Sequence, residues 1–221
     1  MQSTLSSRLG AICGVVFAVL AFLAVASLEA PKEATDQEII DWWSKGSNQS
    51  TAVMSMFFMV GAAIAFGIFI TSVRDRLNAP GSPLANIAHA PGAAVSALMF
   101  VNAGIRGVVG MTAKTTDEPL PGVEVLRLVP LFSRNTLDVA CAALAVCVLL
   151  TAWAVLKGAE LPRWFGWASV VLGGVSLLLL PVVGPFVLPI ELLWGITGSV
   201  ALWRTAPARI AAGRPVAPAL A

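Results

Sequence analysis

Five polar side chains lie inside, or at the ends of, stretches that are otherwise apolar. Glu191 is the single acid in the run from Val187 to Trp194. The whole set combines two guanidinium groups, two carboxylates and one amide: Asn102, Arg106, Arg134, Asp138 and Glu191. Such groups inside a membrane usually face the protein interior and pair, or else line an ion, proton or ligand site. The chemistry to test is therefore ionic binding or internal ion pairing.

The elements that must position these residues are transmembrane helices. Of the 221 residues, 57% are hydrophobic and only 12% are charged, with a mean hydropathy of +0.85, whereas soluble domains carry about 25% charged residues. A helix needs roughly 20 mostly apolar residues to cross a bilayer. Six stretches meet this requirement: Leu9 to Leu28, Thr51 to Val73, Pro91 to Val109, Thr136 to Val155, Trp164 to Val183 and Phe186 to Trp203.

The predicted fold class is all-α, a polytopic helical bundle with six spans. A membrane β-barrel would alternate apolar and polar residues along each strand, and the run from Leu144 to Leu150 does not. We expect residues 1–204 to form one transmembrane domain. Residues 205–221, rich in Ala, Pro and Arg, are expected to form a disordered cytoplasmic tail.

Basic residues indicate which way the chain faces. With six spans both termini share a side, and that side carries eight of the fourteen Lys and Arg residues in short segments: Arg8, Arg74, Arg76, Lys157, Arg163, Arg204, Arg209 and Arg214. The positive-inside rule then predicts cytoplasmic termini. An alternative is that Arg8, the first apolar run and the triplet from Ala24 to Ala26 form a cleaved signal peptide, although that run exceeds the usual 7 to 15 residues.

Depth estimates bring the polar residues together. At a rise of about 1.5 Å per residue, Asp138 lies about 3 Å, Arg106 about 5 Å and Glu191 about 8 Å inside the outer ends of their spans. Gly195, Gly198 and Ser199 follow Glu191 on one face, a small-residue stripe that favours close helix packing. We therefore expect Glu191 to face protein rather than lipid.

Two accounts of this cluster remain open. In the first, Arg106 bridges Asp138 and Glu191 as an internal ion-pair network that sets helix register. In the second, the groups line a small outer-facing cavity that binds an ion, a proton or a polar headgroup. Asn102 and Arg134 share helix faces with Arg106 and Asp138, because each pair is four residues apart. A third possibility is that the span boundaries are misplaced.

Two outer segments are candidate contact surfaces for a protein partner, residues 29–50 and 110–135. The first contains Thr35-Asp36-Gln37-Glu38, which has capping-box spacing. It predicts either a short amphipathic helix on the membrane surface, with Ile39, Ile40 and Trp43 in the interface, or a solvated connector. The triplet Asn48-Gln49-Ser50 matches a glycosylation acceptor but fits helix capping better.

The sequence carries no pattern typical of an enzyme. There is no phosphate-binding glycine loop, zinc-ligand cluster or nucleophile elbow, and the three cysteines, Cys13, Cys141 and Cys147, fall within spans as expected for packing residues. We predict no catalytic residue, cofactor, metal or nucleic-acid partner. The expected role is accessory, sensing or interaction. The alternative is a small ion-coupled permease that uses Arg106, Asp138 and Glu191. The lack of an inverted repeat between the first three and the last three spans weakens this alternative.

Several segments resemble a known group of proteins. They are the paired Trp42 and Trp43 in an acidic segment, Val73-Arg74-Asp75-Arg76-Leu77, Leu161-Pro162-Arg163-Trp164-Phe165-Gly166-Trp167 and Leu193-Trp194-Gly195-Ile196-Thr197-Gly198-Ser199. The chain is similar in these to a group of uncharacterised bacterial multi-pass membrane proteins. The resemblance implies a bacterial inner (plasma) membrane location with lipid as surroundings. It implies no activity.

Overall fold

The protein is all-α throughout the part of the chain that the structure describes. The computed structural model describes residues 2–27, 35–77, 83–116 and 119–205, with side chains from Arg8 onward. Its elements are α1 (Gln2–Ala26), α2 (Asp36–Ser44), α3 (Gly46–Leu77), α4 (Leu84–Thr115), α5 (Val123–Leu156), α6 (Arg163–Val183), a 3-10 turn (Gly184–Val187) and α7 (Leu188–Thr205). The all-α prediction is confirmed.

Five stretches of the described chain are long and apolar enough to cross a membrane. They are Arg8–Ala26, Gly46–Leu77, Leu84–Thr115, Val123–Leu156 and Arg163–Thr205, the last of which contains α6, the 3-10 turn and α7. The outward surface is apolar as well: Leu178 is 78% exposed and Val182 81% exposed. Contiguous apolar surface of this kind suits a lipid environment. The prediction of a multi-helix membrane protein is confirmed at this level.

Neighbouring long helices run antiparallel. Between α6 and α7, Phe165 packs on Gly198, while Ser169 contacts Trp194 four residues earlier in α7. Between α4 and α5, Asn102 meets Ser133 near the start of α5, and Ala88 meets Cys147 near its end. Contacts that lie later in one helix of a pair therefore lie earlier in the other.

The six long helices close into a ring. Each packs on the next in the order α1, α3, α4, α5, α6, α7, and α7 returns to pack on α1. In that last contact Gly10 lies against Leu202 and Gly195 against Phe17, so α1 and α7 are also antiparallel. Because directions alternate around the ring, the start of α1 and the end of α7 lie at the same end of the bundle. Small residues allow this close approach of helices in membranes.

Four helices begin earlier than the predicted spans. These spans were expected to begin at Leu9, Thr51, Pro91 and Thr136, whereas α1 begins at Gln2, α3 at Gly46, α4 at Leu84 and α5 at Val123. Proline is a common helix-start signal, but Pro91 lies inside α4, and Pro130 lies inside α5. Prolines are tolerated within membrane helices because neighbouring groups satisfy the freed backbone. The predicted starts at these four positions are wrong.

The helix α2 covers the end of the bundle. The predicted capping box is present, with Thr35 and Glu38 bonded reciprocally. Trp43, however, is only 1% exposed and lies with Ile39 against protein, so the prediction that it sits in a membrane interface is wrong. The early start of α5 supplies the surface that buries it. We call the group Ile39, Trp43, Ala52, Val109, Leu126 and Val129 the cap cluster, and the end of the bundle that holds it the cap end.

Some predictions fall outside the described residues. The tail 206–221 and residues 28–34, which include most of the junction after the first helix, are not described. The three cysteines are described, and all are buried and free, as expected for packing residues. Trp194 lies at the centre of an aromatic core: its ring stacks on Phe165 at 6.0 Å and meets Phe69 edge-on at 5.4 Å between ring centroids.

Candidate functional site

Arg106 is buried, with 5% of its surface exposed, and its guanidinium bonds to neutral oxygens. Nε donates to Oδ1 of Asn102 at 2.6 Å. Nη1 donates to the carbonyl oxygen of Ala24 at 2.8 Å and to Oγ of Ser55 at 3.1 Å. The Ser55 hydroxyl donates to the same Ala24 carbonyl at 2.8 Å. Arg106 thus joins α4 to both α1 and α3.

The carbonyl of Ala24 needs such donors because of its place in α1. This helix ends at Ala26, and the last four carbonyls of a helix have no donor within it. The C-terminal end of a helix also carries partial negative charge that favours a cation. Arg106 therefore caps the C-terminus of α1 from a different helix, and the helix end takes the place that a carboxylate would hold in an ion pair.

Asn102 extends the network to α5. Its Nδ2 donates to the carbonyl of Ser133 at 2.6 Å and to Oγ of Ser133 at 3.3 Å. Its Oδ1 accepts the hydrogen bond from Nε of Arg106. Four helices meet in this group, which we call the arginine cluster: Ala24, Ser55, Asn102, Arg106 and Ser133. A satisfied polar network of this kind fixes how the helices pack.

Asp138 and Arg134 meet elsewhere, at the turn between α6 and α7. A methyl group at Gly184 would lie 3.2 Å from Oδ1 of Asp138 and 3.4 Å from Nη2 of Arg134, so both side chains approach this glycine. Gly184 has φ of +59°, a conformation that other residues rarely adopt. Asp138 is half-buried and Arg134 is exposed.

Glu191 is the most isolated of the five residues. It is 1% exposed, and neither carboxyl oxygen has a hydrogen-bond partner among the described residues. It borders a small cavity whose walls come from α1, α3, α4, α5 and α7 and include Cys141. Gly195, Gly198 and Ser199 on the same helix are buried too. The prediction that Glu191 faces protein is confirmed.

The predicted bridge from Arg106 to Asp138 and Glu191 is not formed, and that expectation is wrong. Arg106 lies at the level of Ala24 and Ser55, whereas the cavity at Glu191 is lined by Ala21 and Met59. These residues are three and four positions farther from the cap end, which is about one helical turn, or roughly 5 Å. The depth estimates failed because they were measured from Val109 and Thr136, whereas α4 continues to Thr115 and α5 begins at Val123.

Ser55 and Ser133, together with the Ala24 carbonyl, were not predicted as members of the site. A signal existed for Ser55, whereas Ser133 lay before the predicted fourth span. Ser55 lies four residues into the predicted second span, at about 6 Å depth, close to the depth assigned to Arg106. The backbone carbonyl carried no signal, because every residue has one and its availability depends on where α1 ends.

The fold and its apolar surface define a helical membrane protein whose apolar interior holds a few buried polar side chains. In comparisons with known proteins, the chain matches no protein-family model, no curated protein and no solved structure. The resemblance to uncharacterised bacterial multi-pass proteins therefore rests on the quoted segments alone. Among the described residues, no group of three or more His, Cys, Asp or Glu side chains could hold a metal ion.

Proposed function

We propose that the protein is a closed, non-enzymatic membrane bundle with an accessory, sensing or interaction role, and that its cap end is the contact surface. The observation that carries the proposal is the packed interior. The cavity at Glu191 leaves about 10 Å³ for the centre of a water molecule, which is about the space that one water needs. A pathway for a solute would need a cavity much larger than this one that continues through the bundle.

Six membrane crossings account best for the helix arrangement. The stretch Arg163–Thr205 has 43 residues and would measure about 65 Å as one helix, against a hydrocarbon core of about 30 Å. It is instead an antiparallel hairpin of 21 and 18 residues. Each arm is long enough for one crossing, which supports a six-span topology with both termini on one side.

We infer that the cap end faces away from the cytoplasm of a bacterial cell, in the inner membrane. Among the described residues, the opposite end carries six basic and two acidic side chains: Arg8, Arg74, Arg76, Lys157, Arg163 and Arg204 with Asp75 and Glu160. The cap end carries three basic and four acidic ones: Lys45, Lys114 and Arg127 with Asp36, Glu38, Asp41 and Glu124. This asymmetry matches the positive-inside rule.

The orientation is tested by cysteine labelling in intact cells. Because Cys13, Cys141 and Cys147 are buried, a cysteine placed at Gln37 or at Lys157 is the reactive one. A membrane-impermeant maleimide is expected to label Gln37→Cys in intact cells and Lys157→Cys only after permeabilisation. The reverse pattern contradicts the assigned orientation.

The cap end offers a rigid polar surface to a partner. Nη2 of Arg127 on α5 lies 2.7 Å from Oδ1 of Asp36 on α2, and Asn48 and Gln49 side chains donate to the carbonyls of Trp42 and Trp43. These contacts hold α2 on the bundle within the predicted partner segments 29–50 and 110–135. A fixed surface loses less conformational entropy on binding than a flexible loop.

A photo-crosslinking residue at Ile40, which is exposed on α2, tests the contact role. We expect a discrete protein adduct from this position in cells. The matched control is Leu178, an equally apolar residue that is exposed on α6 and is expected to face lipid. The same adduct from both positions, or an adduct from neither, contradicts the proposal.

The second candidate function is an ion-coupled permease. The observation that favours it is the unpartnered Glu191 in the interior. The test compares proton and cation flux in proteoliposomes that contain the parent, Glu191→Gln or Asp138→Asn. No flux above empty liposomes is expected in any of them. Flux in the parent that is lost in the variants overturns the non-transporting role.

A further inference from the structure

The cavity beside Glu191 is apolar except for two side chains. Its walls include Phe17 on α1, Met59 on α3, Met99 on α4, Leu137 and Cys141 on α5 and Leu188 on α7. The carboxyl of Glu191 borders this space with both oxygens unbonded. An unpaired carboxylate is much less stable inside a protein than in water, so the carboxyl needs a ligand that neutralises it.

The geometry selects among possible ligands. A bound Ca²⁺ takes about six to eight oxygen ligands, and Mg²⁺ needs near-octahedral coordination, but the walls supply one carboxyl group and one thiol. The space admits about one water molecule, at about 10 Å³ for its centre. No cationic side chain lines the cavity. A proton needs neither a coordination shell nor added volume.

We propose that Glu191 is a proton-binding site inside the bundle, with a single water molecule in the adjoining cavity as its exchange partner. Binding converts the carboxylate to the neutral acid. Release breaks the O–H bond, leaves both electrons on the carboxylate and passes the proton to the water. This site goes beyond the proposed contact role, because it gives the bundle an internal group that responds to proton concentration.

The charged and titratable groups around the site are few. On α5, Cys141 lines the cavity and Asp138 lies three residues nearer the cap end. On α4, Arg106 lies in the neighbouring layer and is bonded to the end of α1. The described residues of α1, α3 and α7 that line the cavity include no titratable group besides Glu191 itself. Arg134 is exposed beside Asp138 at Gly184.

Asp138 is the other acid at this level of the bundle. It is half-buried, lies on α5 between the cavity-lining residues Leu137 and Ala140, and approaches the turn at Gly184. Because it is the acid closest along α5 to the cavity, its contribution must be separated from that of Glu191.

Infrared difference spectroscopy on the full chain in phosphatidylethanolamine and phosphatidylglycerol vesicles tests the proposal. At neutral pH the parent is expected to show the C=O stretch of a protonated carboxyl group, and Glu191→Gln is expected to lose it. Glu124→Gln is the matched control because Glu124 is an exposed acid on α5, and this variant should keep the band. Glu191→Asp, which retains the acid, should shift the band rather than remove it.

Three results overturn the proposal. One is a parent without the band at neutral pH. Another is a band that survives Glu191→Gln and disappears in Asp138→Asn, which assigns it to the other acid. The third is a band that is present in choline buffer and lost in sodium buffer, which makes Na⁺ the ligand. The infrared band reports protonation of Glu191, whereas the flux measurement reports transport. The proton-binding proposal and the proposed non-transporting role can therefore fail independently.

Discussion

Arg106 and Glu191 are both buried in neighbouring layers of the bundle, and no ion pair joins them. The guanidinium is bonded to the C-terminal end of α1, while the carboxyl borders an apolar cavity. The two side chains therefore share no hydrogen-bond partner. Changes at sites without shared partners usually combine additively, so the two residues are expected to act independently on stability.

Replacing Arg106 with alanine is expected to destabilise the bundle. The change leaves the Oδ1 of Asn102 without its donor and removes one donor from the Ala24 carbonyl. A buried polar group that loses its partner costs about 1 to 3 kcal/mol, so a loss of about 2 to 4 kcal/mol is expected from the combined effect. Thermal unfolding in mild detergent measures it.

Arg163→Ala is the control for this prediction, since Arg163 is exposed at the start of α6 and surface changes usually stay within about 0.5 kcal/mol. The double variant Arg106→Ala with Glu191→Gln should show the sum of the two single effects. An Arg106→Ala variant as stable as the parent would rule out the arginine cluster as a structural network. Strong non-additivity would instead show that Arg106 and Glu191 interact.

The sequence predicted the helices best where an apolar run is bounded by a charged residue, proline or glycine. The predicted span from Trp164 to Val183 differs from α6 by one residue. The start of α4 was missed because Pro91 was read as its beginning, and the start of α5 was missed because the segment before Thr136, which contains Pro130, was assigned to an outer loop. Packing against neighbours lets both helices continue through these prolines. Propensity is a local property, whereas the surface that buries Trp43 is created by helices distant in sequence.

The candidate site was predictable in part for a similar reason. The inward direction of Glu191 followed from the small residues that share its helix face, a periodic signal. The partners of Arg106 did not follow, because the decisive acceptor is a backbone carbonyl that is free only where α1 ends. A search restricted to charged side chains finds carboxylates as partners and overlooks helix ends.

Gly184 is expected to resist substitution. Its φ of +59° and ψ of −136° lie in a region open to glycine almost alone, where other residues lose about 1 to 3 kcal/mol. A side chain there would also press on Asp138. Gly184→Ala should therefore lower the unfolding temperature. Gly174→Ala is the matched control, because nothing lies near that position on α6 and alanine favours a helix by about 1 kcal/mol. Equal stability of the two variants would contradict the strained turn.

Trp194 is expected to link α6 and α7 through both its ring and its N–H group. Nε1 donates to Oγ of Ser169 at 2.9 Å, and both groups are buried. Ser169→Ala leaves the indole N–H without its acceptor, which should cost about 1 to 3 kcal/mol in unfolding free energy. Trp167→Phe alters an exposed ring and should change little. A Ser169→Ala variant with parental unfolding would show that this bond adds nothing.

The capping box of α2 is expected to make the cap end sensitive to acid. The backbone N–H of Thr35 donates to Oε2 of Glu38 at 2.7 Å and its hydroxyl donates at 3.0 Å, and these bonds hold the pKa of Glu38 below its usual range. A carboxyl whose pKa is lower in the folded state stabilises that state above its unfolded pKa of about 4.3. The contribution is lost as the pH falls through the lowered folded value.

Hydrogen exchange of the α2 amides measures this effect, expressed as protection relative to the intrinsic rate at each pH. The measurement uses an Asp36→Asn background, because Asp36 is a second acid on α2 and pairs with Arg127. In this background, protection should be constant near neutral pH and fall in acid. Adding Glu38→Gln should lower protection at neutral pH and remove the decline in acid, because an amide can still accept a capping bond but does not titrate. A decline of equal size with glutamine at position 38 would assign the acid sensitivity to another group.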